Sequence, residues 1–98
     1  MTVLLISPNE HKYLEHAGDR PPIGLCYLST ALKANGHLTE IIDMNHTRWK
    51  DTLEKCKDSD VTHIGLSIPS SPSYKQMIRF AEELKKDEIH KPLVAVIS

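Results

Sequence analysis

The chain has 98 residues, enough for a single small domain with one hydrophobic core. Its formal net charge of −1 at pH 7 gives no positive field for nucleic acid or an anionic membrane surface. No apolar run reaches the ~20 residues that a membrane span needs, and the first residues are typical of a strand rather than a secretion signal. We therefore expect a cytoplasmic protein that binds neither nucleic acid nor membranes.

The first half of the chain predicts a buried strand, a long loop and a helix. Residues 3–6 form an unbroken apolar run, which is typical of a strand covered on both faces. Residues 8–22 form a polar connection longer than most β-to-α loops, and such loops tend to be functional. A helix is predicted over residues 23–35, followed by Gly36 in the left-handed conformation. Its buried stripe is predicted to be Leu25, Leu28 and Leu32.

The middle of the chain predicts a second strand and a weaker helix. Residues 38–42 have the mixed polarity of a strand near the sheet edge, and Asp43 ends it. The helix is predicted over residues 48–57, with Trp49, Leu53 and Cys56 on one side. Cys26 and Cys56 have no partner at metal or redox spacing, so both are expected to be reduced, packed thiols.

The last third predicts a strand, a helix and a strand. Residues 61–68 form the third strand, which Pro69 ends because proline cannot donate to a ladder. A helix is predicted over residues 74–86, with Ser73 and Gln76 at capping-box spacing. Its buried stripe is predicted to be Met77, Phe80, Ala81 and Leu84. The fourth strand is predicted over residues 93–97.

The alternation of strands and helices predicts an α/β fold. Four parallel strands in the order 2-1-3-4, with three helices on the two faces, would form a Rossmann-like or flavodoxin-like sheet. The chain ends at Ser98, directly after a strand of the buried type. We therefore expect residues 1–98 to be one domain that is a fragment or a truncated form of a larger one.

Several familiar sites are missing from this framework. Ser7, Pro8 and Asn9 follow the first strand, where a G-x-G-x-x-G or Walker A loop would stand, so dinucleotides and nucleoside triphosphates are disfavoured. A phosphoacceptor receiver domain is disfavoured as well, since the first and third strands end in Ser7 and Ile68 rather than in acidic residues. No G-x-S-x-G elbow surrounds the serines that follow the third strand.

Two residue clusters leave alternatives open. His11, His16 and His46 are predicted to lie near Asp43 and could bind a metal, although solvated loop histidines fit their irregular spacing better. Three other histidines are expected to be structural: His37, His63 and His90. The serines between residues 67 and 73 could form turns and caps, or a small-residue loop that accepts a large ligand, and the two roles are compatible.

The start of the first helix points to a ligand site. Pro21 and Pro22 fix the backbone there, and Gly24 lets a bulky group approach because it has no Cβ. A helix start at the carboxyl end of a parallel strand is where open α/β sheets bind ligands.

These residues resemble a known family. The Pro-Pro-Ile-Gly-Leu run of residues 21–25, with residues 27–32 and 35–37, is similar to the N-terminal cobalamin (vitamin B12)-binding domain of B12-dependent radical SAM enzymes. Residues 41–43 and the Asp-Val-Thr-His-Ile-Gly-Leu-Ser run of residues 60–67 are similar to it as well. The resemblance covers essentially the whole chain.

The resemblance implies a Rossmann-like sheet with the corrin ring over its carboxyl edge and the nucleotide tail between sheet and helix. The implied cofactor-binding residues are Pro8, Asn9, Pro22, Gly24, Asp43, Ser67, Pro69, Ser70, Ser71 and Ser73. No catalytic or metal-ligating residue is implied, and the D-x-H-x-x-G motif by which some relatives bind cobalt is absent from the sequence. The Gly-Gly-x-His segment that usually follows the fourth strand in the family is not present before Ser98.

The implied function is to present cobalamin to a radical SAM domain, in cis or in trans, for methyl transfer or related radical chemistry. The C-x-x-x-C-x-x-C cluster of that domain is absent here, so an iron–sulfur cluster and S-adenosylmethionine would bind elsewhere. An alternative is a non-catalytic interaction module that has lost the cofactor and pairs through its exposed fourth strand, as in a homodimer. A weaker alternative is a small metalloenzyme that uses the loop histidines.

Overall fold

Strands and helices alternate through the chain. The computed structural model describes residues 2–9, 23–68 and 71–97. Its elements are β1 (Thr2–Ser7), α1 (Ile23–Ala34), β2 (Leu38–Asp43), α2 (Trp49–Cys56), β3 (His63–Ile68), α3 (Ser71–Lys86) and β4 (Leu93–Ile97). The strands form one four-stranded sheet in the order β2-β1-β3-β4, and every neighbouring pair is parallel. The predicted α/β fold class and strand order are confirmed.

The start of α3 differs from the prediction. The helix begins at Ser71 rather than at residue 74, because a proline such as Pro72 is tolerated in the first turn of a helix. Ser73 therefore lies inside the helix and is fully buried, and the predicted capping box with Gln76 is wrong. β3 is also shorter than predicted and begins at His63.

The larger hydrophobic cluster lies between the sheet and the two helices α2 and α3. Its buried members are Leu4, Ile6, Met44, Leu53, Cys56, Val61, Ile64, Leu66, Met77, Phe80 and Leu84. Trp49 joins α2 to α3 because its ring meets that of Phe80 edge to face, with centroids 5.1 Å apart. The stripes predicted for the second and third helices are thus confirmed as core.

A smaller cluster lies on the opposite face of the sheet, beneath α1. It consists of Val3, Leu5 and Leu25, with Leu28, Leu32 and Ile41 packed against it. α1 is held to β1 and β2, and the Ser29 and Thr39 hydroxyls form a hydrogen bond between helix and strand. The predicted stripe of the first helix is confirmed, and so is the placement of β2 at the sheet edge.

The two cysteines differ in environment, although both are free thiols. Cys56 is buried, and this burial raises the pKa of its thiol to about 11, while nearby Lys91 acts in the opposite direction. Cys26 is exposed, because it lies beside rather than on the stripe of α1 that faces the sheet. The expectation that both thiols are packed is therefore wrong for Cys26.

The end of α1 is a Schellman motif, as the glycine predicted. The N–H of His37 donates to the carbonyl of Leu32 at 3.0 Å, and that of Gly36 donates to the carbonyl of Lys33 at 3.1 Å. Gly36 has a φ of 84°, which glycine adopts without a steric penalty.

The same motif ends α3 with a less suitable residue. The N–H of Ile89 donates to the carbonyl of Leu84 at 2.9 Å, and that of Glu88 donates to the carbonyl of Lys85 at 3.1 Å. Glu88 takes the position of the glycine, with a φ of 60°. Its Cβ makes this left-handed conformation unfavourable.

Replacing Glu88 by glycine should stabilise the protein. We expect Glu88→Gly to raise the free energy of unfolding by about 1 kcal/mol, which corresponds to a rise in Tm of roughly 4–8 °C. The matched control is Glu82→Gly, an exposed site within α3, which should lower stability by about 1 kcal/mol. Urea and thermal denaturation measure the stability of both variants. A loss of stability in Glu88→Gly would contradict the unfavourable left-handed conformation assigned to Glu88.

Candidate functional site

Polar and small residues meet at the carboxyl edge of the sheet. β1 ends at Ser7, which is aligned with Asp43 at the end of β2, and β3 ends beside them at Ile68. Parallel strands place these ends on one edge, which is where open α/β sheets bind ligands. After β1 the chain continues through Pro8, which is buried, and Asn9, which is half-buried.

The turn between β2 and α2 is shaped by Asp43. One of its carboxylate oxygens accepts a hydrogen bond from the backbone N–H of Asn45 at 2.9 Å, and its carbonyl accepts one from the N–H of His46 at 3.0 Å. The N–H of Met44 donates to the carbonyl of Ser7 at 3.0 Å, which ties this turn to β1. Asp43 therefore has a structural role at the edge, whatever else it binds.

A pair of hydrogen bonds fastens the end of β1 to α3. The backbone N–H of Asn9 donates to Oε1 of Gln76 at 2.8 Å, and Nε2 of Gln76 donates to the backbone carbonyl of Asn9 at 2.9 Å. The amide of Gln76 thus bonds both backbone groups of Asn9, as the backbone of a neighbouring β-strand would. The sequence does not predict this role of Gln76, because its partner is the backbone of a distant residue and such a contact leaves no pattern in the sequence.

A cavity of about 320 Å³ opens beside this pair of bonds, between the end of β1, the turn after β2 and α3. We call it the β2 cavity. It is lined by Asn9, Met44, Asn45, His46, Thr47, Arg48, Trp49 and Gln76. Most of these residues lie in the turn after β2, of which the sequence singled out only Asp43 and His46, because irregular polar turns are common between strands and helices.

On the face of the sheet beneath α1, β3 carries small side chains instead of large apolar ones. Gly65 is aligned with Leu5 of β1 and with Val94 of β4, so these three residues lie on the same face. Gly65 and Ser67 are both buried, yet neither adds an apolar side chain to the cluster under α1. Val94 has 56% of its surface exposed. Small side chains thus continue this face where the apolar cluster stops.

The structure places part of the predicted site. Pro8, Asn9, Asp43 and Ser67 lie at or near the carboxyl edge, as expected from the order of the strands. Ser73 is fully buried in the first turn of α3.

Other predicted site residues are less well defined. Gly24 lies in the first turn of α1 and Ser71 begins α3. Pro22, Pro69 and Ser70 lie outside the described residues. The cofactor contacts of all ten residues stay predictions.

Like the predicted site residues, some histidines lie within the described residues and others do not. His11 and His16 lie outside the described residues, and His46 lines the β2 cavity. As predicted, His63 is within β3, and the turns between helix and strand contain His37 and His90. Within residues 2–9, 23–68 and 71–97, no group of three or more His, Cys, Asp or Glu side chains could hold a metal. No helix in this part of the chain is long and apolar enough to cross a bilayer.

Comparison with known families agrees with this geometry. The family model described as the B12 binding domain matches residues 14–96. The chain therefore belongs to the B12-binding domain family, and cobalamin is its expected ligand. No curated protein and no solved structure gave a match.

The residues at the edge fit cobalamin chemically. The corrin ring is flat, carries neutral amide side chains and extends into a nucleotide tail. Gly65 and Ser67 provide a face without bulky side chains beside β1. The β2 cavity provides amide and hydroxyl groups of its own, including Asn45 and Thr47. The cavity lies at the carboxyl edge, where the fold places ligands, and the small-residue face reaches that edge at Ser67, next to the last residue of β3.

Removing the Gln76 side chain should loosen the site. We expect Gln76→Ala to lower the free energy of unfolding by about 1–2 kcal/mol, because two part-buried hydrogen bonds to Asn9 are lost. Lys75→Ala, at an exposed neighbouring position of α3, is the control and should change stability little. Urea denaturation compares the two, and equal stability would show that the bonds to Asn9 contribute nothing.

Proposed function

We propose that this chain holds cobalamin at the carboxyl edge of its sheet and presents the cobalt to a catalytic domain. The observation that carries the proposal is the match of the B12-binding family model to residues 14–96, which include every described element from α1 to α3 and nearly all of β4. The edge geometry supports it, since Ser7, Asp43 and Ser67 come together there. The bound cofactor would supply methyl-transfer or related radical chemistry, while the protein positions it.

The proposed contacts follow from where these residues lie on the two faces of the sheet. Gly65 and Ser67 would lie against the nucleotide tail, on the side of the sheet that α1 covers. Asn9 and Asp43 would lie beneath the corrin, with the loop residues predicted from the sequence around it. The backbone at Gly24 would offer its N–H at the start of α1, where helix amides attract phosphate.

The proposed partner is a radical SAM domain, in cis or in trans, which would bind the iron–sulfur cluster and S-adenosylmethionine. Support comes from the Pro-Pro-Ile-Gly-Leu run of residues 21–25 and its similarity to such enzymes. The proposed location is the cytoplasm, where the two free thiols, Cys26 and Cys56, would stay reduced.

Binding of cobalamin and its place on the sheet can be tested together. After mixing with hydroxocobalamin and desalting, the protein should keep the visible spectrum of the cofactor. Ser67→Leu should weaken binding roughly fivefold to a hundredfold, because the larger side chain fills the face beside Gly65.

The control is Ser59→Leu, at an exposed position before β3 on the opposite edge, which should bind as the unchanged protein does. Thermal melts establish that both variants fold. A colourless protein fraction would contradict cobalamin binding, and full affinity in a folded Ser67→Leu variant would contradict the placement of the tail.

A second candidate function is an interaction module, and the edge strand β4 favours it. In the described residues no strand flanks β4 on its outer side, and Leu93 and Val94 are 44% and 56% exposed. Within 71–97, Ile78 of α3 extends this apolar surface and is 40% exposed. Such an unprotected edge is a template for pairing with another strand.

The proposed occupant of this edge is a second copy of the chain. The surface beside β4 carries both signs of charge, because Glu82, Lys85 and Lys91 all line it. A two-fold interface joins a surface to itself, so it needs such self-complementary charge. Antiparallel pairing of two β4 strands would give a continuous eight-stranded sheet, twice the four strands present here.

Sedimentation velocity over a range of concentrations tests this pairing. The unchanged chain should form a dimer, and Val94→Lys should be a monomer because a charge on the edge opposes strand pairing. Leu38→Lys, the same change on the exposed β2 edge, should leave the dimer intact. A protein that stays monomeric at every concentration would eliminate the second candidate.

A further inference from the structure

The β2 cavity is lined mainly by neutral polar groups. Asn9, Asn45 and Gln76 contribute primary amides, and Thr47 contributes a hydroxyl. An amide both donates and accepts hydrogen bonds, and so does a hydroxyl. A surface of this composition is complementary to ligands that carry neutral amides themselves.

The charge of the cavity is nearly balanced. Among the described residues that line it, Arg48 is the one arginine, and Nε of this side chain donates to Oδ2 of Asp51 at 3.1 Å. The ion pair offsets the positive charge and uses one of the five N–H groups of the guanidinium. Neutral acceptors such as amide oxygens therefore fit this cavity better than phosphate, which would need more unbalanced positive charge.

The walls of the cavity are held by the fold. Met44 is only 5% exposed and is bonded through its N–H to Ser7. Trp49 is fixed by its edge contact with Phe80, and Gln76 is fixed by its two bonds to the loop after β1. A preformed site of this kind loses little entropy when a ligand binds.

Size and position limit what the cavity can accept. At about 320 Å³ it is at the small end of ligand sites, which suits side chains rather than a whole macrocycle. It opens at the β1–β2 part of the carboxyl edge, on the face covered by α2 and α3. Gly65 and Ser67 lie on the other face of the sheet. A flat ring across the edge would therefore have the β2 cavity on one side and these two small residues on the other.

We propose that the β2 cavity binds the carboxamide side chains on one side of the corrin ring. This rests on the proposed binding of cobalamin and adds a contact surface that the nucleotide tail does not reach. Thr47, Arg48 and Asn45 donate to the amide oxygens of the ring, while Met44 and Trp49 contact its methylene groups. The cavity then fixes the rotation of the ring on the domain.

The test compares two ligands and three variants of the full chain. The ligands are hydroxocobalamin and dicyanocobinamide, which has the corrin amides but lacks the nucleotide tail. Arg48→Ala removes an exposed side chain, so the fold is retained, and Thr47→Phe fills the cavity. Lys50→Ala, an exposed position of α2 outside the cavity, is the control. Dissociation constants come from visible spectra, and thermal melts report folding.

We expect Arg48→Ala to raise the dissociation constants of both ligands roughly threefold to tenfold. Thr47→Phe should raise them further, and Lys50→Ala should leave them unchanged. If the unchanged chain binds cobalamin and folded Arg48→Ala binds both ligands as Lys50→Ala does, the cavity assignment is wrong while the proposed function stands. Loss of affinity for hydroxocobalamin alone would assign the cavity to the tail and overturn the proposal. An unchanged chain that binds neither ligand would contradict the proposed function and this inference with it.

Discussion

The parallel alignment of β1 with both of its neighbours determines where this protein can bind a ligand. Because β1 pairs with β2 on one side and with β3 on the other, the ends of all three strands meet at one edge. That edge collects backbone turns and short polar side chains, including Ser7 and Asp43, whereas the interior of each strand is committed to the core. The site is thus a consequence of topology before any individual side chain is considered.

The two faces of the sheet differ in how much of the hydrophobic core they hold. The face under α2 and α3 holds the larger apolar cluster, anchored by Phe80 and by its contact with Trp49. The face under α1 holds a small cluster that stops at β1, and Gly65 and Ser67 continue it without bulk. A ligand that lies on this second face adds contacts where the protein supplies few of its own.

The sequence predicted the fold well because its signals were local. Apolar runs, helical stripes and Gly36 each report on their own segment, and the strand order then follows from the short alternating connections. The start of α3 was predicted three residues too late because the spacing of Ser73 and Gln76 favoured a cap there, whereas the helix already includes Pro72, which a first turn accepts.

The site was less predictable because it depends on contacts between distant segments. Gln76 was assigned a local capping role, yet it binds the backbone of Asn9. The β2 cavity exists only because this pair of residues and the turn after β2 come together around Trp49. No spacing in the sequence encodes that arrangement. Asp43 was selected as a ligand contact, and the structure adds that it also shapes its own turn.

Where the cofactor binds on the sheet can be determined from backbone amide chemical shifts, recorded as hydroxocobalamin is added. Cobalamin bound at the carboxyl edge should change the shifts of Ser7, Asn9 and residues 43–48 and 65–68, with little change at the opposite edge, for example at His37 and Val61. Changes confined to the opposite edge, or no changes at saturating cofactor, would contradict binding at the carboxyl edge.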